Sequence, residues 1–316
     1  MALYVIKRLL AIIPVLLVVS LVVFMLIHFI PGDPAIVMLG PQATPDELAA
    51  LQLKLGLNEP LPVQFYHWLA GAVQGDLGYS LVSDKEVTTL IAERLPVTLA
   101  LTIYALVLSL VIAIPLGIIA AVKQNTVWDY SAMFIALFGI SIPNFWAALI
   151  LIIIFALRLG WFPSTGYVEL VDNLWLHLKH MALPAFSLGF IQAGVVTRMT
   201  RSSMLEVLRQ DYIRTVRAKG GPEFKVVFKH ALKNAMVPII SIIGINFGLL
   251  LGGTVVVETI FSIPGIGQLV VNSVFNRDYP VIQGVILVVA IIYVMINLIV
   301  DLMYAYFDPR IDYGKV

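Results

Sequence analysis

Six long apolar runs constrain this chain more than any other feature of its sequence. The first, Leu9–Ile30, is uncharged, and as a helix rising about 1.5 Å per residue it would be about 33 Å long, enough to cross a bilayer. Only 12% of the residues are charged, against about 25% in soluble domains. The sequence therefore predicts an all-α, polytopic membrane protein with six transmembrane helices. The predicted spans are Leu9–Ile30, Leu95–Val122, Tyr130–Leu157, Met181–Val196, Val237–Val257 and Val281–Val300.

The spans suggest three parts: residues 1–30 with the first span, an external subdomain over residues 31–94, and a core over residues 95–316. The first apolar run is too long for the core of a cleaved signal peptide, so we expect an uncleaved span. Within the subdomain, Thr44–Glu47 matches a capping box, Gly56 would stop that helix, and a second helix is expected over Pro62–Gly71. We read Asp76, in its glycine-flanked turn, as a turn former.

The distribution of basic residues favours both termini on the inside. Of the 20 lysines and arginines, this topology leaves only six outside. Those six are Lys54, Lys85, Arg94, Arg158, Lys179 and Arg277. A multi-pass location in the cytoplasmic membrane is therefore expected.

The longest polar, basic run between apolar blocks is Met204–Pro238, called the basic hairpin below. The spacing predicts one helix from about Met204 to Lys219, a bend at Gly220–Pro222, and a second helix from there into the next span. Apolar residues spaced by three and four form the expected helix faces. They are Leu205, Leu208, Tyr212 and Val216 in the first helix, and Phe224, Val227, Phe228 and Leu232 in the second. Positive charge that keeps a loop inside is one explanation, and a docking surface for a soluble partner is another.

The sequence offers little catalytic chemistry. It contains no cysteine, no phosphate-binding G-x-x-x-x-G-K-[S/T] loop and no H-E-x-x-H motif, and a net charge of +1 implies no nucleic-acid partner. His177 and His180 could share a helix face, but two histidines are few for a metal site, and ordinary interfacial residues are the expectation. We expect no cofactor or metal in this chain.

Polar residues inside the spans are sparse. The candidates for lining a transport pathway are Asn144, Gln192, Asn246 and Gln283, although hydrogen bonding between helices would also explain them. We expect Glu258 and Asp301 to be solvated at helix ends. Since ion-coupled pumps carry intramembrane charge relays, their absence points to a partner that supplies the energy.

The basic hairpin resembles the cytoplasmic coupling loop of permease subunits of dipeptide/oligopeptide-type ABC importers. That family typically reads D-Y-I-R-T-A-R-A-K-G followed by H-A-L-R-N-A-x-x-P, which corresponds here to Asp211–Gly220 and His230–Pro238. Val216 and Lys233 are the mild departures. Further matching stretches are residues 30–34, 75–78, 197–208, 258–267, 277–280 and 308–310.

The resemblance implies a type I ABC importer permease fold without enzymatic activity of its own. It also implies a second homologous permease subunit, two ATP-binding subunits that carry ATP and Mg²⁺, and an extracytoplasmic substrate-binding protein. The residues that match the coupling motif are Asp211, Tyr212, Arg214, Thr215, Arg217, Ala218, Lys219, Gly220, His230 and Asn234.

The substrate class stays open at this point. Peptides are the main expectation from the resemblance, and nickel chelates, glutathione or oligosaccharides are alternatives within the same architecture. A self-contained secondary transporter would need intramembrane charges that the spans lack. A membrane-embedded enzyme could use Ser141 or Ser187 as a nucleophile, but no span supplies a histidine partner.

Overall fold

The computed structural model describes residues 2–26, 28, 34–40, 43–54 and 56–307. These residues form helices joined by turns and loops, with one isolated antiparallel bridge between Tyr79 and Glu86. The helices are α1 Ala2–Met25, α2 Pro34–Leu39, α3 Pro45–Lys54, α4 Leu61–Val73, α5 Val87–Val122, α6 Val127–Ser141, α7 Asn144–Leu151, the π-helix π1 Ile152–Arg158, α8 Leu174–Leu208, α9 Asp211–Ala218, the π-helix π2 Lys225–Ala231, α10 Leu232–Phe261, α11 Ile266–Phe275 and α12 Tyr279–Phe307. The all-α, membrane-spanning fold class is confirmed.

Four helical segments in the described part of the chain are long and apolar enough to cross a membrane. They are Val87–Val122, Leu174–Leu208, Lys225–Phe261 and Tyr279–Met303. The second, fourth, fifth and sixth predicted spans fall within these segments. The apolar part of α1, Leu10–Met25, is shorter, so the count of six spans stays a prediction.

The third predicted span is not one straight helix. α6 ends at Ser141 and α7 begins at Asn144, and the segment before the break meets the segment after it at 102°. The cause is Pro143: it cannot donate a backbone hydrogen bond, and it forces Ile142 into an extended conformation with φ −89° and ψ 125°. The third predicted span, Tyr130–Leu157, is therefore a helix pair that is broken at Pro143.

The helices cluster into two compact units. The first comprises Met1–Val5, Val97–Pro264 and Met295–Val316. One of its apolar cores packs α5 against α8 and α10 around Leu101, Met181 and Leu250. α5 and α8 approach closely at Gly189, where an added Cβ would lie 2.6 Å from the carbonyl oxygen of Ala105. A side chain at Gly189 would force these two helices apart.

The second compact unit comprises Ile6–Pro96 and Gly265–Val294. Its apolar core joins the start of α5 to α11 and α12 around Val87, Ile266 and Val281. The capping box is confirmed, because the backbone N–H and hydroxyl of Thr44 both donate to Glu47 Oε2 over 2.8 Å. α4 confirms the second short helix.

The predicted subdomain boundary at residue 94 lies close to the unit boundary at Pro96, although this unit also includes residues 6–30 and 265–294. The external location of residues 31–94 stays a prediction. Asp76 is confirmed as a turn former, because its Oδ1 accepts from the N–H of Gly78 over 2.9 Å.

Candidate functional site

The basic hairpin begins with a break that the sequence did not predict. α8 ends at Leu208, and α9 begins at Asp211 after Gln210 adopts an extended conformation with φ −71° and ψ 148°. A single helix from Met204 to Lys219 was therefore wrong. The acidic Asp211 in the first turn favours a helix start at this position. It is the sequence signal that could have identified the break.

The break changes which face of α9 is buried. Ile213 is buried and Val216 is half-buried, whereas 42% of Tyr212 is exposed. The single helix face predicted for Leu205, Leu208, Tyr212 and Val216 was wrong, because the break divides these residues between α8 and α9. The hydroxyl of Tyr212 accepts a hydrogen bond of 3.0 Å from Asn234 Nδ2, and burial of part of its ring raises the pKa of this phenol. Tyr212 thus links α9 to α10 at the surface.

A Schellman motif forms the predicted bend after α9. The N–H of Gly220 donates to the carbonyl of Arg217 over 2.9 Å, and the N–H of Gly221 donates to the carbonyl of Val216 over 3.2 Å. Gly220 has φ +78°, a conformation that is costly for residues with a Cβ. The glycine at this position is thus a requirement of the bend.

An ion pair closes the bend on its exposed side. Arg217 donates to both carboxylate oxygens of Glu223, over 2.6 and 3.2 Å. This hydrogen bonding from the Arg217 guanidinium lowers the pKa of Glu223 below the ordinary value for glutamate. The two helical arms of the hairpin are therefore joined by charge as well as by the backbone.

The second arm is helical from Glu223 onward, as expected, but its apolar face differs from the predicted one. Val226, Val227 and Ala231 are buried, whereas Phe224 and Phe228 are 72% and 45% exposed. The predicted face is therefore split, because Val227 and Leu232 pack in the apolar core whereas the two phenylalanines do not. Phe224 and Phe228 form an exposed aromatic pair with ring centroids 4.6 Å apart.

The structure brings the predicted coupling residues to one continuous stretch of surface. Nine of them are exposed and His230 is half-buried. The exposed nine are Asp211, Tyr212, Arg214, Thr215, Arg217, Ala218, Lys219, Gly220 and Asn234. Beneath them, an apolar core that includes Met204, Ile213 and Val226 anchors the hairpin to the rest of its unit. The hairpin thus presents a basic surface with two exposed phenylalanines above an apolar core.

A buried ion pair, which the sequence analysis missed, holds α6 against α8. Asp129 is only 1% exposed, and Arg201 donates to its two carboxylate oxygens over 2.6 and 2.7 Å. The N–H of Asn125 donates to the same carboxylate over 3.0 Å. Two charged residues 72 positions apart carry no local spacing signal, so sequence reasoning had no means of pairing them.

Glu258 is fully buried, and the prediction that solvent surrounds it at a helix end was wrong. It lies inside α10, and Thr98 of α5 donates a hydrogen bond of 2.6 Å to its Oε1. The reason is that α10 continues past Glu258 to Phe261 and packs against α5 there. A buried carboxylate in a membrane protein is expensive and requires such partners.

The four candidate pathway residues lie in different environments. Asn144 and Gln192 are half-buried, and Asn246 is buried with an Nδ2 atom that has no hydrogen-bond partner among the described residues. Gln283 donates to the carbonyl oxygens of Val23 and Phe24 over 3.1 and 3.3 Å, so its amide joins α12 to α1. Their role in a pathway stays a prediction.

The two histidines of α8 are engaged within the protein. Buried His177 has Nδ1 2.7 Å from the carbonyl oxygen of Val168 and Nε2 3.1 Å from the hydroxyl of Tyr104. His180 Nδ1 is 2.9 Å from the carbonyl oxygen of Leu176. Across the residues that the structure describes, no group of three or more His, Cys, Asp or Glu could hold a metal ion.

The predicted motif at residues 308–310 lies outside the described residues, as does most of the one at 30–34.

Two family models together match almost the entire chain. The family "binding-protein-dependent transport system inner membrane component" matches residues 113–313, and the N-terminal family of the same transport-system membrane components matches residues 1–102. The first of these matches alone covers more than half of the chain and includes the whole basic hairpin.

Full-length relatives agree with the family match. The dipeptide transport system permease protein DppB of Alkalihalophilus pseudofirmus is 48% identical, over 98% of this chain and 99% of the relative. The glutathione transport system permease protein GsiC of Escherichia coli K12 is 46% identical, with the same two coverages.

A solved structure shows the same fold. A chain of the MetNI methionine ABC transporter, in an inward-facing conformation, matches with a TM-score of 0.58 at 20% identity. The match covers 69% of this chain and 96% of that chain. On the family matches, the full-length relatives and the shared fold, this chain belongs to the binding-protein-dependent transport system inner membrane components and is a membrane-spanning permease subunit of an ABC importer.

Proposed function

We propose that this chain forms, together with a second homologous permease, the pathway through which an ATP-driven importer takes up peptides. Two ATP-binding subunits on the cytoplasmic side would bind and hydrolyse ATP with Mg²⁺, and an extracytoplasmic binding protein would deliver the peptide. The 48% identity to a dipeptide transport system permease, over nearly the whole of both chains, supports the substrate class. Glutathione is the second candidate, supported by the 46% identical relative.

The single observation that carries the energy-coupling role is the architecture of the basic hairpin. Its underside is an apolar core, and its upper side exposes the predicted coupling residues with Phe224 and Phe228. A loop that served only to stay inside through its positive charge would need neither of these features. An exposed aromatic pair among basic residues has the composition of a protein-binding surface.

Coupling through this surface requires that the hairpin move as one body with the spanning helices. Ile213, Val226 and Ala231 pack in the same core as residues of α5 and α8, so a displacement of the hairpin would be transmitted to those helices. The permease would have two states, and the closed ATP-binding subunits would bind one of them more tightly than the other. Closure of these subunits would then shift the permease towards that state. ATP supplies the energy through the partners, in line with the scarcity of charge in the spans.

The orientation that follows from this proposal places both termini and the basic hairpin in the cytoplasm. Residues 31–94 and the Arg277–Pro280 segment are then on the outer side, where the binding protein arrives. The bias of lysine and arginine towards the predicted inner segments supports the same orientation.

Reconstitution tests the proposal directly. The chain is reconstituted in proteoliposomes with its partner permease, the two ATP-binding subunits and the binding protein, and uptake of a radiolabelled dipeptide is measured. ATP-dependent accumulation that requires all of these components is expected. Accumulation by this chain alone would contradict the coupling role, and ATP-dependent uptake of glutathione but not of dipeptides would favour the second candidate.

A further inference from the structure

The second compact unit contains a cavity that the coupling role leaves unexplained. It has a volume of about 580 Å³, within the range of about 300–1,000 Å³ that is typical of small-molecule sites. Its walls come from the end of α1, from α3 and α4, from the turn over residues 76–81, and from the start of α12. In the orientation proposed above, each of these segments lies at the outer side of the membrane.

The inner wall of the cavity is apolar and aromatic. Phe24 and Leu51 are buried, and the ring centroids of Phe24 and Trp68 are 5.9 Å apart. The side-chain amide of Gln283 donates a hydrogen bond to the backbone carbonyl oxygen of Phe24 and so helps to fix the position of that residue. This wall therefore has a defined shape that fits an apolar or aromatic side chain.

The rim of the cavity is acidic. Of the described residues that line it, Glu59 and Asp76 are the only Asp, Glu, Lys or Arg side chains, and the lining also includes His28 and His67. A ligand with a positive group and an apolar body is therefore favoured over an anion.

The backbone at both acidic residues is held by hydrogen bonds to residues of α4. Gln64 Nε2 donates to the carbonyl oxygens of Leu57 and Glu59 over 3.1 and 2.7 Å, which ties the loop before α4 to that helix. The N–H of Asp76 donates to the carbonyl of Gly71 over 2.9 Å, which ties the following turn to the same helix. The segments that carry Glu59 and Asp76 are thus both hydrogen-bonded to the same helix, α4.

We propose that this cavity binds the amino-terminal end of a peptide, with the ammonium group at Glu59 and Asp76 and the first apolar side chain against Phe24 and Trp68. The first residue of a peptide carries both features, because its free ammonium group and its side chain are attached to the same Cα atom. The inference rests on the proposed function for its substrate class, and it adds a site on the permease itself to the one expected on the binding protein. Such a site would hold a delivered peptide before translocation.

Photo-crosslinking to the assembled permease and ATPase complex in nanodiscs, without the binding protein, tests the proposal. The probe is the dipeptide p-benzoylphenylalanyl-alanine, used with a free amino terminus and in N-acetylated form. We expect the free-amine probe to label residues between 24 and 81, with about tenfold weaker binding for the acetylated form. Equal binding of the two forms, or labelling confined to other parts of the complex, would overturn the proposal.

Substitutions provide a second, independent arm of the same experiment. The double variant Glu59→Gln and Asp76→Asn should weaken binding of the free-amine probe by about tenfold or more. The matched control Glu93→Gln removes an exposed carboxylate from the same unit but outside the cavity, and it should leave binding unchanged. Unchanged binding in the double variant would overturn the assignment of the rim.

Transport measured in parallel separates this inference from the proposed function. If the complete importer accumulates dipeptides but the probe does not label the cavity, the cavity proposal alone fails. If the complete importer transports no dipeptide, the proposed substrate class fails.

Discussion

The basic hairpin and the α6–α8 contact both contain an arginine paired with a carboxylate, but the two pairs are in opposite environments. Arg217 and Glu223 are 41% and 54% exposed, whereas the side chain of Asp129 is 2% exposed beneath Arg201. Exposed pairs contribute about 0–1 kcal/mol, because water screens them, whereas breaking a buried pair costs about 3–5 kcal/mol. In this molecule the buried Asp129–Arg201 pair therefore stabilises the packing of two helices, whereas the exposed Arg217–Glu223 pair lies on a surface that a partner can contact.

The largest decrease in the free energy of unfolding is expected for Arg201→Ala. It leaves the buried Asp129 carboxylate with the Asn125 N–H as its remaining described hydrogen-bond donor. We expect a loss of about 3 kcal/mol, at the lower end of the range because Arg201 itself is 26% exposed. Thermal unfolding of the detergent-solubilised protein measures this loss. The matched control is Arg214→Ala on the hairpin, and equal melting temperatures for the two variants would contradict the comparison.

Glu258 provides an intermediate case, because it is buried and receives its described hydrogen bond from a hydroxyl rather than from an arginine. Glu258→Leu leaves Thr98 without that acceptor and should cost about 1–3 kcal/mol. Glu258→Gln keeps an acceptor oxygen and should cost less. The same unfolding assay compares the two variants, and a glutamine variant that is no more stable than the leucine variant would show that the acceptor oxygen for Thr98 does not account for the loss.

Gly220 tests the shape of the hairpin rather than its charge. Gly220→Val places a branched side chain at φ +78° and should cost about 1–2 kcal/mol locally. A Cβ at Gly220 would meet no atom within 4 Å, so the cost arises from backbone strain and not from a clash. Gly220→Asn, which tolerates this conformation, is the control.

We expect Gly220→Val to insert into the membrane normally but to lose ATP-dependent uptake, measured by membrane fractionation and by transport. Gly220→Asn should retain most of the uptake. Normal uptake by the valine variant would show that the shape of the bend is not needed for coupling.

The smallest decrease in the free energy of unfolding is expected for Arg217→Ala, which breaks the exposed ion pair with Glu223. The loss should be no more than about 1 kcal/mol. Because the pKa of Glu223 is lowered by Arg217, the contribution of the pair is fully present above the ordinary glutamate value of 4.5. It is lost as the pH falls through the lowered pKa, so the wild-type protein and the variant should converge in stability under acid. Unfolding measured against pH checks this, and a difference that persists at the lowest pH would argue against the pair as its source.

Local signals in the sequence predicted the local structure well. The capping box at Thr44, the turn at Asp76 and the Gly220–Pro222 bend depend on residues a few positions apart, whose chemistry is visible in the sequence.

The errors arose where the register of a helix or a long-range contact decides the outcome. The spacing put Phe224 and Phe228 on one helix face with Val227 and Leu232, but the two phenylalanines are exposed whereas the other two residues pack in the apolar core. The charge of Glu258 suggested solvent, but Thr98, 160 positions away, provides its hydrogen bond. The Asp129–Arg201 pair was not predicted for the same reason. No periodicity within one segment contains this information.

Site-directed cysteine labelling tests the central claim most directly, because the natural sequence contains no cysteine. Lys219→Cys, at the exposed bend of the hairpin, is treated with a membrane-impermeant maleimide in intact cells and in inverted vesicles. The account predicts labelling only in inverted vesicles, and protection when the ATP-binding subunits are present. Labelling from the outside of intact cells, or no protection by those subunits, would contradict it.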